Sequence, residues 1–102
     1  MQPYDNQVAI VTGAASGMGR ELVRQLAAGG ATVVATDIDG KALEEAHVAL
    51  GGLGARVRNE VLDVADAVRF RKIVNTTARE HGRLDYVFNN AGIAIYGEVL
   101  EM

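Results

Sequence analysis

Residues 12–19 read Thr-Gly-Ala-Ala-Ser-Gly-Met-Gly, a glycine-rich turn between the apolar run Val8-Ala9-Ile10-Val11 and a helix-like run beginning near Arg20. The chemistry such a turn supports is anion binding. A strand that ends in a glycine turn and feeds a helix aims unpaired backbone N–H groups, and the positive end of the helix dipole, at one spot suited to a pyrophosphate. Gly13, Gly17 and Gly19 divide the work: one permits the tight turn, one lets a phosphate approach the main chain, and one lets the helix pack closely on its strand. Asp37 comes eighteen positions after Gly19, near the spacing at which an acid accepts hydrogen bonds from the hydroxyls of an adenosine ribose. A carboxylate there repels a 2′-phosphate, and Ser16 offers no positive charge to attract one, so NAD is expected in preference to NADP. The bland reading of Asp37 is a turn residue at a strand end. Asp63 is open to two readings, contact with the ribose and adenine region or a helix-capping or turn role. The string Asn89-Asn90-Ala91-Gly92 completes the set.

The elements that must position these residues follow from the apolar pattern. Val8 to Thr12 is a short β-branched run without alternation, as in a strand buried on both faces. Met18, Leu22, Val23 and Leu26 fall at helical spacing, and Gly29-Gly30 ends that helix. On this pattern Met18 belongs to the inward stripe. Residues 31–36 form a second buried strand closed by Asp37, and residues 41–50 a second helix with Leu43, Ala46 and Leu50 inward, stopped by Gly51, Gly52 and Gly54. A third strand spans 55–62. Asp66 caps a long helix with Phe70, Ile73, Val74 and Ala78 on one stripe, and Gly82 ends it. The fourth strand spans 84–89. This alternation is an α/β, Rossmann-type doubly wound parallel sheet. Right-handed crossovers place two helices on one face and the third on the other, giving strand order 3-2-1-4. Every informative residue then sits at a strand's carboxyl end, and those ends share one edge.

Composition sets the outer limits. The 102 residues form a single domain, 49% hydrophobic and 23% charged, with a formal charge of −3. That balance suits a packed globular chain and opposes a nucleic-acid footprint, which needs clustered Lys and Arg. Without cysteine there are no disulfides and no thiolate chemistry. No apolar stretch approaches the ~18 residues needed to span a bilayer, and the N-terminus lacks the features of a secretory signal. A cytoplasmic protein without a membrane partner is expected. His47 and His81 are isolated on helices, which gives no metal site. Asp39 reads as a solvated loop acid.

Together, Thr12 to Gly19, which fit TGxxxGxG, and Asn89 to Gly92, which fit NNAG, resemble the short-chain dehydrogenase/reductase family; the resemblance runs from about Gln7 to Gly97. It implies an oxidoreductase that moves hydride between a nicotinamide cofactor and an alcohol or carbonyl. The cofactor contacts it implies are Gly13, Ala15, Ser16, Gly17, Met18 and Gly19 at the pyrophosphate, Asp37 and Ile38 at the ribose, Asp63 and Val64 near the adenine, and Asn90, Ala91 and Gly92 at the middle of the cofactor. Asn89 looks structural. Family members pair a Tyr with a Lys four residues later and use a Ser upstream; a nearby cation lowers the phenol pKa for proton transfer. Here Tyr4, Tyr86 and Tyr96 are followed at that spacing by Val8, Asn90 and Leu100, and Ser16 is the only serine. The chain thus reads as the cofactor-binding half of such an enzyme, with no catalytic residue of its own. A non-catalytic dinucleotide-binding module and a strand-edge interaction fragment are the competing readings. The fourth strand is expected to be an exposed edge, so self-association along it is expected too. The parent enzyme is expected to be a homo-oligomer.

Overall fold

The computed structural model describes residues 2–90, so Ala91, Gly92 and Tyr96 lie outside the described residues. The chain runs β1 (Val8–Val11), α1 (Gly17–Ala28), β2 (Thr32–Asp37), α2 (Gly40–Ala49), a 3-10 segment (Gly51–Arg56), β3 (Val57–Val61), α3 (Ala67–His81) and β4 (Tyr86–Phe88). The four strands form one sheet in the order β3-β2-β1-β4, and all three pairings are parallel. This is the expected doubly wound topology, with the change of direction between β1 and β4.

Alternation along the central strands separates two cores. Ala9 and Val11 of β1, with Val33 and Ala35 of β2, face Val23, Leu26, Ala27 and Leu43 from α1 and α2. Ile10 and Val34 point the other way, against Leu62, Phe70 and Ile73. Two helices therefore cover one face and α3 the other, as right-handed crossovers require. Phe70, Ile10 and Leu62 are among the largest fully buried side chains.

Local chemistry starts and stops each helix. Asp39 caps α2 by accepting from Ala42 N at 3.0 Å, and Asp66 caps α3 by accepting from Arg69 N at 3.0 Å. Asp39 is thus a cap and not merely a solvated loop acid. Gly82 ends α3 with φ of 73°, a left-handed conformation that favours glycine. The glycines after α2 do more than stop it, since they wind into the 3-10 segment. That segment is held by His47, whose Nε2 lies 2.9 Å from Gly54 O and 3.1 Å from Val57 O.

The two outer strands differ. On β3, the Arg69 side chain donates to Val61 O from Nε at 3.0 Å and from Nη2 at 2.8 Å, and Arg58 pairs with Glu80 at 2.8 Å. On β4, Tyr86 and Phe88 stack with ring centroids 5.7 Å apart, and Tyr86 is exposed.

Candidate functional site

The glycine-rich turn is anchored before it reaches α1. Thr12, fully buried, donates from its backbone N to Phe88 O at 3.1 Å and from Oγ1 to the same oxygen at 3.3 Å. The next N–H groups turn toward β2: Ala14 N donates to Thr36 O at 2.9 Å, and Ala15 N donates to Asp37 Oδ2 at 3.0 Å. From the other side, Asn90 Nδ2 donates to Gly13 O at 3.1 Å. Two direct hydrogen bonds thus tie the turn to distant parts of the chain, Ala15 to Asp37 and, across a separation of 77 positions, Gly13 to Asn90.

Two glycines are required by the structure for different reasons. Gly17 opens α1 with φ of +58° and has nothing within 4 Å of where a Cβ would stand; its backbone conformation demands glycine. Gly19 has ordinary helical geometry but no room. A Cβ there would overlap the Gly13 carbonyl oxygen and lie 2.6 Å from Asn90 Nδ2.

The mouth of α1 carries the electrostatics. Ser16 occupies the N-cap position in an extended conformation, and its side chain makes no capping hydrogen bond. The N–H groups at the first turn of a helix have no intrahelical acceptor and carry the positive end of the dipole. Ser16, Gly17 and Met18 are all exposed. The arrangement can stabilise an anion through main-chain donors alone.

Met18 departs from the sequence reading. It is 80% exposed, because the inward positions of α1 are Gly19, Val23, Leu26 and Ala27. The first inward place is taken by a glycine that must sit close to Gly13. Met18, one residue earlier and about 100° round the helix, is turned to solvent beside the mouth. Leu22 is half-buried.

The remaining candidates line the same edge. Asp37 Oδ1 accepts from Asp39 N at 2.9 Å, and Ile38 between them is 66% exposed. Leu62 N donates to Asp37 O at 3.0 Å, which sets the end of β3 beside the end of β2. Asp63 is exposed and forms a turn, with Oδ1 accepting from Ala65 N at 2.9 Å and its carbonyl from Asp66 N at 2.8 Å. Val64 packs half-buried against the Ile10 and Phe70 core. Asn89 is exposed.

Sequence reasoning missed Thr36 and Asp85. Thr36 is fully buried, donates from Oγ1 to Val11 O at 3.3 Å and offers its carbonyl to Ala14. Asp85 lies at the opposite end of the sheet, where Oδ2 accepts from Val8 N at 2.8 Å. The Arg83 hydrogen bond, then that from Val8 N, holds its carboxyl below the usual range. The available signal was a lone acid directly before the apolar run Tyr86-Val87-Phe88. Among the described residues, no group of three or more His, Cys, Asp or Glu side chains is placed to hold a metal ion, and no helix is long and apolar enough to cross a membrane.

Comparison with known proteins adds the family. Residues 7–102 match the short chain dehydrogenase family. Curated relatives include the meso-2,3-butanediol dehydrogenase of Serratia marcescens, 38% identical over 98 residues, which cover 96% of this chain and 38% of the relative. The D-threitol dehydrogenase of Mycolicibacterium smegmatis is 39% identical over 90 residues, covering 88% of this chain and 35% of that protein. Among solved structures, carveol dehydrogenase from Mycobacterium avium in complex with NAD aligns with a TM-score of 0.80 at 28% identity, over 91% of this chain and 38% of that one. A short chain dehydrogenase from Mycobacterium paratuberculosis bound to NAD aligns with a TM-score of 0.77 at 34% identity, over 89% and 38%. The chain thus spans little more than a third of the length of these proteins. Because the family match takes in all but the first six residues, the chain belongs to the short chain dehydrogenase family.

Proposed function

We propose that the chain holds the dinucleotide cofactor, NAD in preference to NADP, of an oxidoreductase acting on an alcohol or carbonyl substrate. The observation that carries this reading is the mouth of α1. There the main-chain donors from Ser16 to Gly19 have no capping side chain, Gly17 leaves space where a Cβ would stand, and the ends of β2 and β3 lie alongside. These residues fit a pyrophosphate flanked by an adenosine, since the donors suit the anion and Asp37 suits ribose hydroxyls. The NAD complexes among the structural neighbours support the same assignment.

In this reading the backbone from Gly13 to Gly19 cradles the pyrophosphate, with Ala15 contributing through the shape of the turn. Asp37 accepts from the adenosine ribose and repels a 2′-phosphate, with Ile38 beside it. Asp63 and Val64 border the adenine region. Asn90 holds Gly13 in place and, with Ala91 and Gly92, borders the middle of the cofactor. The exposed Met18 side chain flanks the bound phosphates. The nicotinamide supplies or accepts the hydride. No Tyr-Lys pair at the family spacing occurs in these 102 residues, so what this chain itself contributes is binding and orientation of the cofactor. Self-association along the outer side of β4, and a homo-oligomeric cytoplasmic parent enzyme, belong to the proposal as well.

Fluorescence titration with NADH tests it. Saturable binding is expected, weakened ~10 to 100-fold by Asp37→Ala on the basis of one hydrogen bond to a charged group, with NADPH binding more weakly than NADH to the unaltered chain. Absence of saturable NADH binding to the folded chain overturns the proposal.

A further inference from the structure

The two oxygens of the Asp37 carboxylate already have backbone partners. Oδ2 accepts from Ala15 N at 3.0 Å and Oδ1 from Asp39 N at 2.9 Å. One partner belongs to the turn before α1, the other to the turn before α2. Ala14, next to Ala15, is held differently: its N–H goes to the backbone carbonyl of Thr36 at 2.9 Å, an acceptor that any residue supplies. The hold on the Ala15 N–H, unlike that on Ala14, depends on a side chain.

We infer that Asp37 is a positioning residue for the glycine-rich turn, in addition to facing the ribose. By fixing the Ala15 N–H it sets the plane of the Ala14–Ala15 peptide, one residue before the Ser16 N-cap, and with it the direction in which the chain enters α1 and its first-turn donors point. At 3.0 Å the bond to Asp37 is no shorter than the 2.9 Å bond from Ala14 to the Thr36 carbonyl, but its acceptor is ionised, and charge-assisted hydrogen bonds are stronger than those between neutral groups. The inference rests on the proposal that the turn holds a pyrophosphate, and it has a consequence for cofactor choice. A carboxylate tied at both oxygens does not rotate aside for a 2′-phosphate. Replacing it with a small neutral residue removes the repulsion and loosens the pyrophosphate cradle in the same step.

Amide hydrogen exchange on the ligand-free 102-residue chain reads the tie directly. In Asp37→Ala the Ala15 and Asp39 amides are expected to exchange at least about tenfold faster, while the Ala14 amide stays within about twofold of its original rate. Asp37→Asn keeps one acceptor oxygen and is expected to preserve protection at one of the two amides. A second measurement isolates the effect on the cradle, using inorganic pyrophosphate, which has no ribose. Removing a negative charge by itself favours an anion, but the Ala and Asn variants share that change. Pyrophosphate, followed through the amide shifts of residues 16–19, is expected to bind the Ala variant about three- to tenfold more weakly than the Asn variant. Unchanged Ala15 exchange in Asp37→Ala, or equal pyrophosphate affinity of the two variants, overturns the inference. Failure of the unaltered chain to bind NADH refutes the functional reading and leaves the exchange result to stand or fall independently.

Discussion

Gly19→Ala sets two effects of opposite sign against each other, and the structure decides between them. Gly19 lies within α1, where alanine is ordinarily favoured over glycine by about 0.8–1.0 kcal/mol. Against that, the new methyl overlaps Gly13 O and falls 2.6 Å from Asn90 Nδ2 and 2.8 Å from Gly13 C. Asn90 can rotate away only by giving up its 3.1 Å bond to Gly13 O. Gly13 has little freedom to retreat, because Thr12 is tied to Phe88 and Ala14 to Thr36. Overpacking of this kind costs about 1–3 kcal/mol, and the lost hydrogen bond about 0.5–1.5 kcal/mol. The clash outweighs the helix-propensity gain, leaving a net destabilisation of about 1–3 kcal/mol. A small domain with about 5–15 kcal/mol of stability survives this, so the variant is expected to fold while its displaced turn binds NADH poorly. Urea unfolding followed by circular dichroism, paired with the NADH titration, measures both. Gly52→Ala serves as the control, because a Cβ there meets nothing within 4 Å; it is expected to be neutral or to gain up to about 1 kcal/mol. A Gly19→Ala chain as stable as the original, with an unaltered NADH titration, would refute the reasoning.

Three further outcomes are expected. Hydrogen bonding to Arg24, and secondly to Gln25, lowers Glu21 to about 2; Arg58 depresses Glu80, while Arg83 and then Val8 N depress Asp85. Carboxyls with lowered folded-state values stabilise the fold above the ordinary carboxylate range of about 4 and lose that contribution as pH falls through the folded values. The urea midpoint should therefore fall between about pH 4.5 and 2, less steeply in Glu21→Gln and in high salt; a midpoint independent of pH in that window contradicts the assignment. Phe70→Ala empties a fully buried position between α3 and the sheet; it should cost about 3–5 kcal/mol in urea unfolding, and a loss below about 1 kcal/mol would show that the position collapses. Arg69→Ala exposes Val61 O on β3 and should raise the light-scattering mass at high protein concentration; an unchanged mass would show that Arg69 does not guard that edge.

The sheet order was legible because it follows from few things: four short apolar runs, glycines and acids at their ends, and the handedness of crossovers. The cap by Asp66 and the end of α3 at Gly82 were legible for the same reason, since those residue types have strong local preferences. What escaped was set by approach distances, which hydropathy does not record. Met18 looked inward because glycine contributes nothing to an apolar pattern, yet Gly19 holds the inward place. The 3-10 segment escaped because its glycines read only as a stop, while the His47 ring that organises it looked like an isolated histidine. Thr77, a polar residue that an apolar pattern does not record, is fully buried on α3 with Phe70 and Ile73. At the candidate site, the gathering of the strand ends was readable from topology. The ties that hold the turn, Ala15 to Asp37 and Asn90 to Gly13, depend on side-chain directions that no spacing rule supplies.

The three helices that begin along this edge of the sheet differ in what they already carry. The starts of α2 and α3 each have a resident carboxylate, Asp39 and Asp66, hydrogen-bonded to their own first turns. The start of α1 has a neutral serine whose side chain makes no such bond. A phosphate-bearing solute moving along the edge therefore meets two helix starts whose first-turn donors are already capped by a carboxylate and one whose first-turn donors are not, the nearest carboxylate there, Asp37, being tied to Ala15 N instead. If the turn before α1 holds the cofactor pyrophosphate as proposed, the aspartates at the two neighbouring helix starts contribute to that choice along with the glycines of the turn itself.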